Sequence, residues 1–277
     1  MPKLTMLTLN ARGMKSKGFM DKALREFQKW KTERKINIAT FQEHNLDPKD
    51  EEDLIRKAKL KNITLIIGFA DKAPDGVHRG GVLIMCDETT ITHKSTKVRS
   101  AGIVKIDVTW GGKEIEFAGI YAPAKSLERV NFFQTLRNQI NKNTIIGGDW
   151  NCVPDVTLDI QSPNPLAYSN IGARLLTDIM TQHTLIDERR EQLGNEAEYT
   201  RSGNTSRDHL NNNISSRLDR WYVPDNEDIL WTFEVDNTFI FKATSSDHSA
   251  VIAQADNQTG ELGHDRKTVN EIIIILI

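Results

Sequence analysis

The chain has 277 residues, of which 38% are hydrophobic and 27% charged, with a formal net charge of −2. That length supplies ample chain for a buried core, and 17 Gly with 8 Pro exclude collagen-like and low-complexity classes. Two cysteines, Cys86 and Cys152, exclude a disulfide scaffold and point to a reduced, intracellular protein.

The start carries no apolar run with a small-residue cleavage site, so no signal peptide is expected. Leu4 to Asn10 reads as a short strand ending in a polar loop. Phe19, Ala23, Phe27 and Trp30 recur at helical spacing with Met20 and Leu24, predicting an amphipathic helix over about 19–34. Residues 12–35 hold nine Lys/Arg against three Asp/Glu, a basic stretch able to meet phosphates or simply to form a solvated helix face. Ile36 to Gln42 is an apolar run, expected to be a buried strand. Residues 50–60 read as a helix, and Ile63 to Phe69 and Gly81 to Cys86 as strands.

Val104, Ile106, Val108 and Trp110 alternate with polar residues, Gly111-Gly112 follows, and Ile115, Phe117 and Gly119 alternate again, the pattern of a hairpin. Leu127, Val130, Phe133 (or Leu136) and Ile140 predict a second amphipathic helix, Thr144 to Gly148 a buried strand, and Ala173 to His183 a third helix. Strand-like sequence returns over 231–241 and 250–255, and residues 225–277 hold ten Asp/Glu against three Lys/Arg. Ile272 to Ile277 are all Ile or Leu, but six residues are far short of the ~20 that cross a bilayer, so no membrane span is expected. Hairpins mixed with βα pairs predict one α/β (α+β) domain over 1–256, with 257–277 as a C-terminal stub. The long loops at 70–79, 154–171 and 201–216 are candidate functional segments.

Five segments place acids or amides at expected strand ends: Leu9-Asn10-Ala11-Arg12-Gly13, Phe41-Gln42-Glu43, Gly147-Gly148-Asp149-Trp150-Asn151, Ser216-Arg217-Leu218-Asp219 and Ser245-Ser246-Asp247-His248-Ser249. Carboxylates and amides with a single His suit a hard cation such as Mg²⁺ rather than zinc. Taken singly, each also has a plain structural reading. Glu43 fits a solvated strand end, Asp149 and Asn151 a turn, Ser246 a cap, His248 a satisfied histidine and Tyr121 a packing aromatic.

In order, Asn10, Gln42-Glu43, Tyr121-Ala122-Pro123, Gly148-Asp149-Trp150-Asn151, Ser216-Arg217-Leu218-Asp219 and Ser246-Asp247-His248 resemble the motifs of the endonuclease/exonuclease/phosphatase superfamily, over about residues 4–253. The phrases Phe41-Gln42-Glu43-His44, Gly119-Ile120-Tyr121-Ala122-Pro123, Glu198-Tyr199-Thr200 and Ser216-Arg217-Leu218-Asp219-Arg220 look most like the apurinic-like endonuclease of LINE-type (non-LTR) retrotransposons.

The resemblance implies a four-layer sandwich: two mostly antiparallel β-sheets face to face, with helices on the outer faces. It implies Mg²⁺-dependent (or Mn²⁺-dependent) DNA nicking for target-primed retrotransposition, with a reverse transcriptase domain as partner, no membrane, and nuclear access. Abasic-site repair, phosphatase activity, or a non-catalytic nucleic-acid-binding remnant are the alternatives.

By the same resemblance Glu43, Asp247 and Asn10 belong to the metal cluster. Asp149 activates water, Asn151 and Tyr121 bind phosphate oxygens, His248 bonds or protonates the scissile phosphate, and Asp219 orients that imidazole. Thr200, Arg201, Arg207, Arg217 and Ser246 are expected on the substrate side, with a hairpin over 201–216 entering a DNA groove. Ala124 and Arg12 depart from the Asn and Asp typical of repair members, which argues against a dedicated abasic-site enzyme.

Overall fold

The computed structural model describes residues 3–14, 18–70, 72–164, 170–203, 214–225, 231–239 and 246–257. In chain order the first half comprises β1 (Leu4–Asn10), α1 (Phe19–Glu33), β2 (Ile36–Gln42), α2 (Glu51–Lys59), β3 (Ile63–Gly68), β4 (Val82–Asp87), β5 (Ile91–Arg99), β6 (Ile103–Trp110), β7 (Lys113–Tyr121) and α3 (Ser126–Leu136). The second half comprises β8 (Thr144–Asp149), β9 (Ile160–Gln161), α4 (Ala173–Gln182), β10 (Leu185–Asp187), α5 (Glu188–Leu193), β11 (Arg201–Gly203), β12 (Ile214–Ser216), β13 (Asp219–Pro224), β14 (Trp231–Phe239) and β15 (Ala250–Asn257). Residues 258–277 of the expected stub at 257–277 and the hairpin tip at 204–213, with Arg207, lie outside the described residues, while Asn257 ends β15.

Two six-stranded sheets form the centre, ordered β14-β15-β1-β2-β4-β3 and β10-β13-β8-β7-β6-β5. Each has one parallel pair at its middle, β1 with β2 and β7 with β8, flanked by antiparallel neighbours. Period-two alternation sorts the side chains. On β1, Leu4 and Met6 enter the core between the sheets, whereas Leu7 and Leu9 meet the helical layer. Met20, Ala23, Leu24, Phe27 and Trp30 of α1 cover that outer face, and Trp30 stacks on Phe41 at 6.5 Å. Phe133 and Leu136 of α3, with Leu176, Ile179 and Met180 of α4, cover Ala118, Ile120 and Ile146 of the other sheet. The result is the expected four-layer α/β sandwich.

The differences are local and have physical causes. The second helix stops at Leu136, and Leu127, assigned to its apolar face, is 75% exposed. Arg129 turns inward instead, donating to the carbonyls of Pro123, Ala124 and Ile171 and tying the loops at both ends of the helical layer. β5 was not expected, because as a sheet edge it buries little beyond Ile91 and has no apolar alternation. β13 was not expected either; its first residues are the charged pair Asp219-Arg220.

Candidate active site

The parallel pairs decide where the site lies. β1, β2, β7 and β8 end at one edge of the sandwich, bringing Asn10, Glu43, Tyr121 and Asp149 to that edge. An antiparallel neighbour must begin where its partner ends. β13 therefore starts at Asp219 beside Asp149, and Asp219 and Asp149 are register partners. Ser246, Asp247 and His248 immediately precede β15, which starts beside the end of β1. Two of the five segments are thus at strand beginnings, not strand ends, a correction that follows from sheet direction.

Side-chain parity aims the groups inward. Ile145 of β8 and Trp221 and Val223 of β13 are in the inter-sheet core, so Asp149 and Asp219, an even number of residues away, share that face. Small residues let the sheets close around them. A Cβ on Gly147 would lie 2.4 Å from the Trp221 ring, and one on Gly119 would lie 2.2 Å from Thr40 Oγ1 across the sandwich.

Asn10 is the bridge. Its Nδ2 donates to Glu43 Oε1 at 2.9 Å and to Asp149 Oδ2 at 2.8 Å, while its Oδ1 accepts the Arg12 N–H at 3.0 Å. One lone pair of that oxygen is taken by Arg12 N–H, and through Nδ2 Asn10 positions the two acids. Tyr121 donates its hydroxyl to Glu43 Oε1 at 3.0 Å. Burial and the charges of Glu43 and Asp149 push its pKa up, so it stays a donor. Glu43 sits in the left-handed region at φ 53. His44 braces that turn: its Nδ1 accepts from Leu46 N at 3.0 Å, which leaves Nε2–H to donate to Gly68 O at 3.0 Å. Burial, only partly opposed by the Gly68 bond, lowers the His44 pKa to about 4 and keeps this tautomer neutral.

His248 Nδ1 lies 2.8 Å from Asp219 Oδ2, which also accepts from Thr200 Oγ1 at 2.7 Å. Burial opposes the charged imidazole, but Asp219 and Asp149, with Asp247, outweigh it and raise the His248 pKa to about 9. Burial, reinforced by Asp219, pushes the Asp149 carboxyl upward, with His248 and Asn10 pulling the other way. Ser246 Oγ donates to Asn10 O at 2.6 Å and accepts from His248 N at 3.1 Å, fastening the His248 loop to β1.

Besides Ser246, whose hydroxyl fastens its own loop rather than facing substrate, three expected roles change. Thr200 is 2% exposed, and its hydroxyl accepts from the N–H groups of Leu218 and Asp219 as well as donating to Asp219. It holds Asp219 and does not face substrate. Arg217 is also 2% exposed, with its guanidinium on Asp159 and Asp187, because the residues before β13 turn into the protein rather than toward the cleft. Asn151 does not extend the line of Asp149; at φ 45 it turns, and its Nδ2 donates to Ala122 O at 2.9 Å. Arg201 remains at the rim, 31% exposed.

Beside Glu43 and Tyr121 lies a cleft of about 380 Å³, lined further by Asn45, His78 and Arg79. In sequence, 70–79 reads only as a loop. Asn45, which accepts from Gly80 N at 2.6 Å and fixes that loop against Glu43, carried no signal beyond its place next to the Glu43-His44 pair.

The residues fit a divalent cation. The ligand atoms of Asp149, Asp219 and His248 lie within 4.8 Å of one another, and Asp219 Oδ1 is buried without a hydrogen-bond donor among the described residues. An oxygen-rich set with one imidazole is the chemistry of hard cations. A charged His248 imidazolium has no lone pair for a cation, so oxygens would supply the ligands: Asp219 Oδ1 within the trio, and beside it Glu43, whose Oε1 accepts from Asn10 and Tyr121.

In sequence, the chain matches no family model and no curated protein. In structure, it is similar to the endonuclease domain of TRAS1, a telomere-specific non-LTR retrotransposon, at TM-score 0.59 and 16% identity, covering 93% of this chain and 100% of that one. An AP endonuclease from Archaeoglobus fulgidus superposes at TM-score 0.64 and 17% identity, over 90% and 98% of the two chains. The AP endonuclease LMAP from Leishmania major does so at TM-score 0.68 and 12% identity, over 91% and 87%. With strand order, layering and these likenesses agreeing, the chain has the fold of the endonuclease/exonuclease/phosphatase superfamily.

Proposed function

We propose that this chain is a divalent-cation-dependent DNA endonuclease that nicks phosphodiester bonds, with Mg²⁺ (or Mn²⁺) as its cation. The observation that carries the reading is the convergence at one edge of the sandwich of two hydrogen-bonded groups, Asn10 with Glu43, Tyr121 and Asp149, and His248 with Asp219, at 2.8 to 3.0 Å. Hydrolysis needs a water deprotonated, charge on phosphorus neutralised and a leaving oxygen stabilised. Asp149, buried with a raised pKa, is the base that accepts the proton of the attacking water. His248, held charged by Asp219, donates to a non-bridging phosphate oxygen, and Asp219 fixes its orientation. Tyr121 donates a second hydrogen bond to the phosphate when it leaves Glu43. Glu43 would hold the cation, which when bound supplies positive charge to the phosphate.

The biological setting is the finer part of the proposal. The motif phrases and the TRAS1 likeness support a nuclease of a non-LTR element that works with a reverse transcriptase on chromosomal DNA, inside the cell and with access to the nucleus. Supercoiled plasmid, purified protein and Mg²⁺ test the chemistry. Nicking is expected from the wild-type chain, and Glu43→Ala and Asp149→Ala are expected to lower it by about 10²-fold or more. Undiminished nicking in those variants sinks the assignment.

A further inference from the structure

We propose that Asp247, a cation ligand by family resemblance, instead anchors a clamp in which Arg12 and Arg201 hold a backbone phosphate of the substrate. The inference rests on the nuclease reading above. Asp247 stands between two guanidiniums: Arg12 Nη1 is 2.7 Å from Oδ1, and Arg201 Nε donates to Oδ2 at 3.0 Å. The Arg12 contact is an ion pair without hydrogen-bond geometry, so Oδ1 has charge compensation but no donor aligned to it. A divalent ion bound to Asp247 at about 2.1 Å would face two fixed positive charges within contact distance. Both oxygens thus face arginine, Oδ2 by a hydrogen bond and Oδ1 by an ion pair, and His248 Nε2 stands 3.9 Å from Oδ1.

The two arginines are in turn held in place. Arg12 occupies a left-handed turn at φ 48, pinned by its N–H to Asn10 Oδ1, the residue that bridges Glu43 and Asp149. Arg201 opens β11 and pairs with His248 as an isolated β-bridge, and Ser202 N donates to Asp247 O at 3.0 Å. The side chains of Arg12 and Arg201 are 46% and 31% exposed, against 19% for Asp247. Each guanidinium has five N–H donors, and the carboxylate engages few of them. Two cations on one anion leave a local charge of +1 at the mouth of the site, a match for one phosphodiester. Asp247 is on this account a positioning residue, setting the spacing of two phosphate-binding forks.

The test uses the whole chain. Anisotropy of a labelled DNA duplex, in EDTA and over a salt series, reads the number of phosphate contacts. Arg12→Gln and Arg201→Gln are each expected to reduce the slope of log K against log salt by about one. Calorimetric titration of the DNA-free chain with Mn²⁺ separates clamp from ligand. Asp247→Asn is expected to leave Mn²⁺ affinity unchanged, while Glu43→Gln lowers it by about tenfold or more. A comparable loss in Asp247→Asn overturns the clamp, as do unchanged slopes in both arginine variants. Duplex binding with unchanged slopes removes the clamp alone; no duplex binding by the wild-type chain removes the nuclease reading with it.

Discussion

Arg217, Asp219 and Arg220 are close neighbours in the chain, yet their side chains enter two buried clusters of opposite character. In one, Asp159 Oδ1 accepts from Arg217 Nε at 2.8 Å and Arg190 Nη2 at 2.6 Å, and Arg217 grips Asp187 with two bonds of 3.0 and 2.6 Å. Arg220 Nη2 reaches Asp159 Oδ2 at 3.3 Å, and its Nη1 donates to Cys152 O at 2.6 Å. Each acid there is paired, with three guanidiniums facing two carboxylates, and the network ties the loop before β9, the start of α5 and the start of β13 together. In the other, His248 is bonded to Asp219 with Asp149 within 4.8 Å, and Asp219 Oδ1 has no donor among the described residues. Matched buried ions fix architecture; buried acids in excess store a demand for positive charge that a cation and a proton can meet.

The sharpest way to break this contrast is His248→Ala. It removes the charge on which the acid cluster depends and is expected to lower nicking by about 10²–10⁴-fold while the chain still folds. A variant that unfolds but nicks normally per folded molecule would erase the distinction. Next in size is Arg217→Ala, which removes one hydrogen bond from Asp159 and two from Asp187 in the interior. A loss of about 3–5 kcal/mol in urea unfolding is expected, with residual nicking by the folded fraction.

Acid titration sharpens the contrast further. Burial opposes ionisation of Asp159, but Arg220 and Arg217, with Arg190, hold its pKa down at about 2. A depressed folded pKa gives stability that is complete above the unfolded value near 4 and is lost as pH falls toward about 2. A loss of roughly 2 kcal/mol over that window is expected, and it should shrink in Arg217→Ala. Absence of any such window in the wild-type chain would count against a matched network. The smallest effect concerns Thr200, which serves the acid cluster from below. Thr200→Val leaves the N–H groups of Leu218 and Asp219 without their acceptor and is expected to cost about 1–3 kcal/mol, read by thermal unfolding.

Much of the scaffold was legible. β1, β2, α1, the β6–β7 hairpin, β8 and α4 follow from periodicity, because each buries one face or both against the same partner layer along its whole length. β5 was hidden by being an edge, and β13 by its charged start. The site was legible as a set of motif residues in order, but not as a division of labour. Arg217 and Thr200 looked like substrate contacts because they adjoin Asp219 in motif and chain. Their burial depends on Asp159 and Asp187, and on the loop that brings residue 200 beneath residue 219, none of which a linear motif encodes.

The sequence by itself therefore determined the chemistry available: which acids, amides, imidazole and tyrosine the chain carries, and which strands and helices present them. Those depend on side-chain type and local spacing. Tertiary structure decided how they are used. Hydrogen-bond register sets Asp219 beside Asp149, side-chain parity sends Asp219 inward and Arg220 outward, and packing surrounds Asp247 with two arginines. Whether a buried charge is a ligand, a base or a brace depends on the charges across from it, and in this chain those come from distant segments: Asp219 is 29 residues from His248, and Arg201 is 46 residues from Asp247.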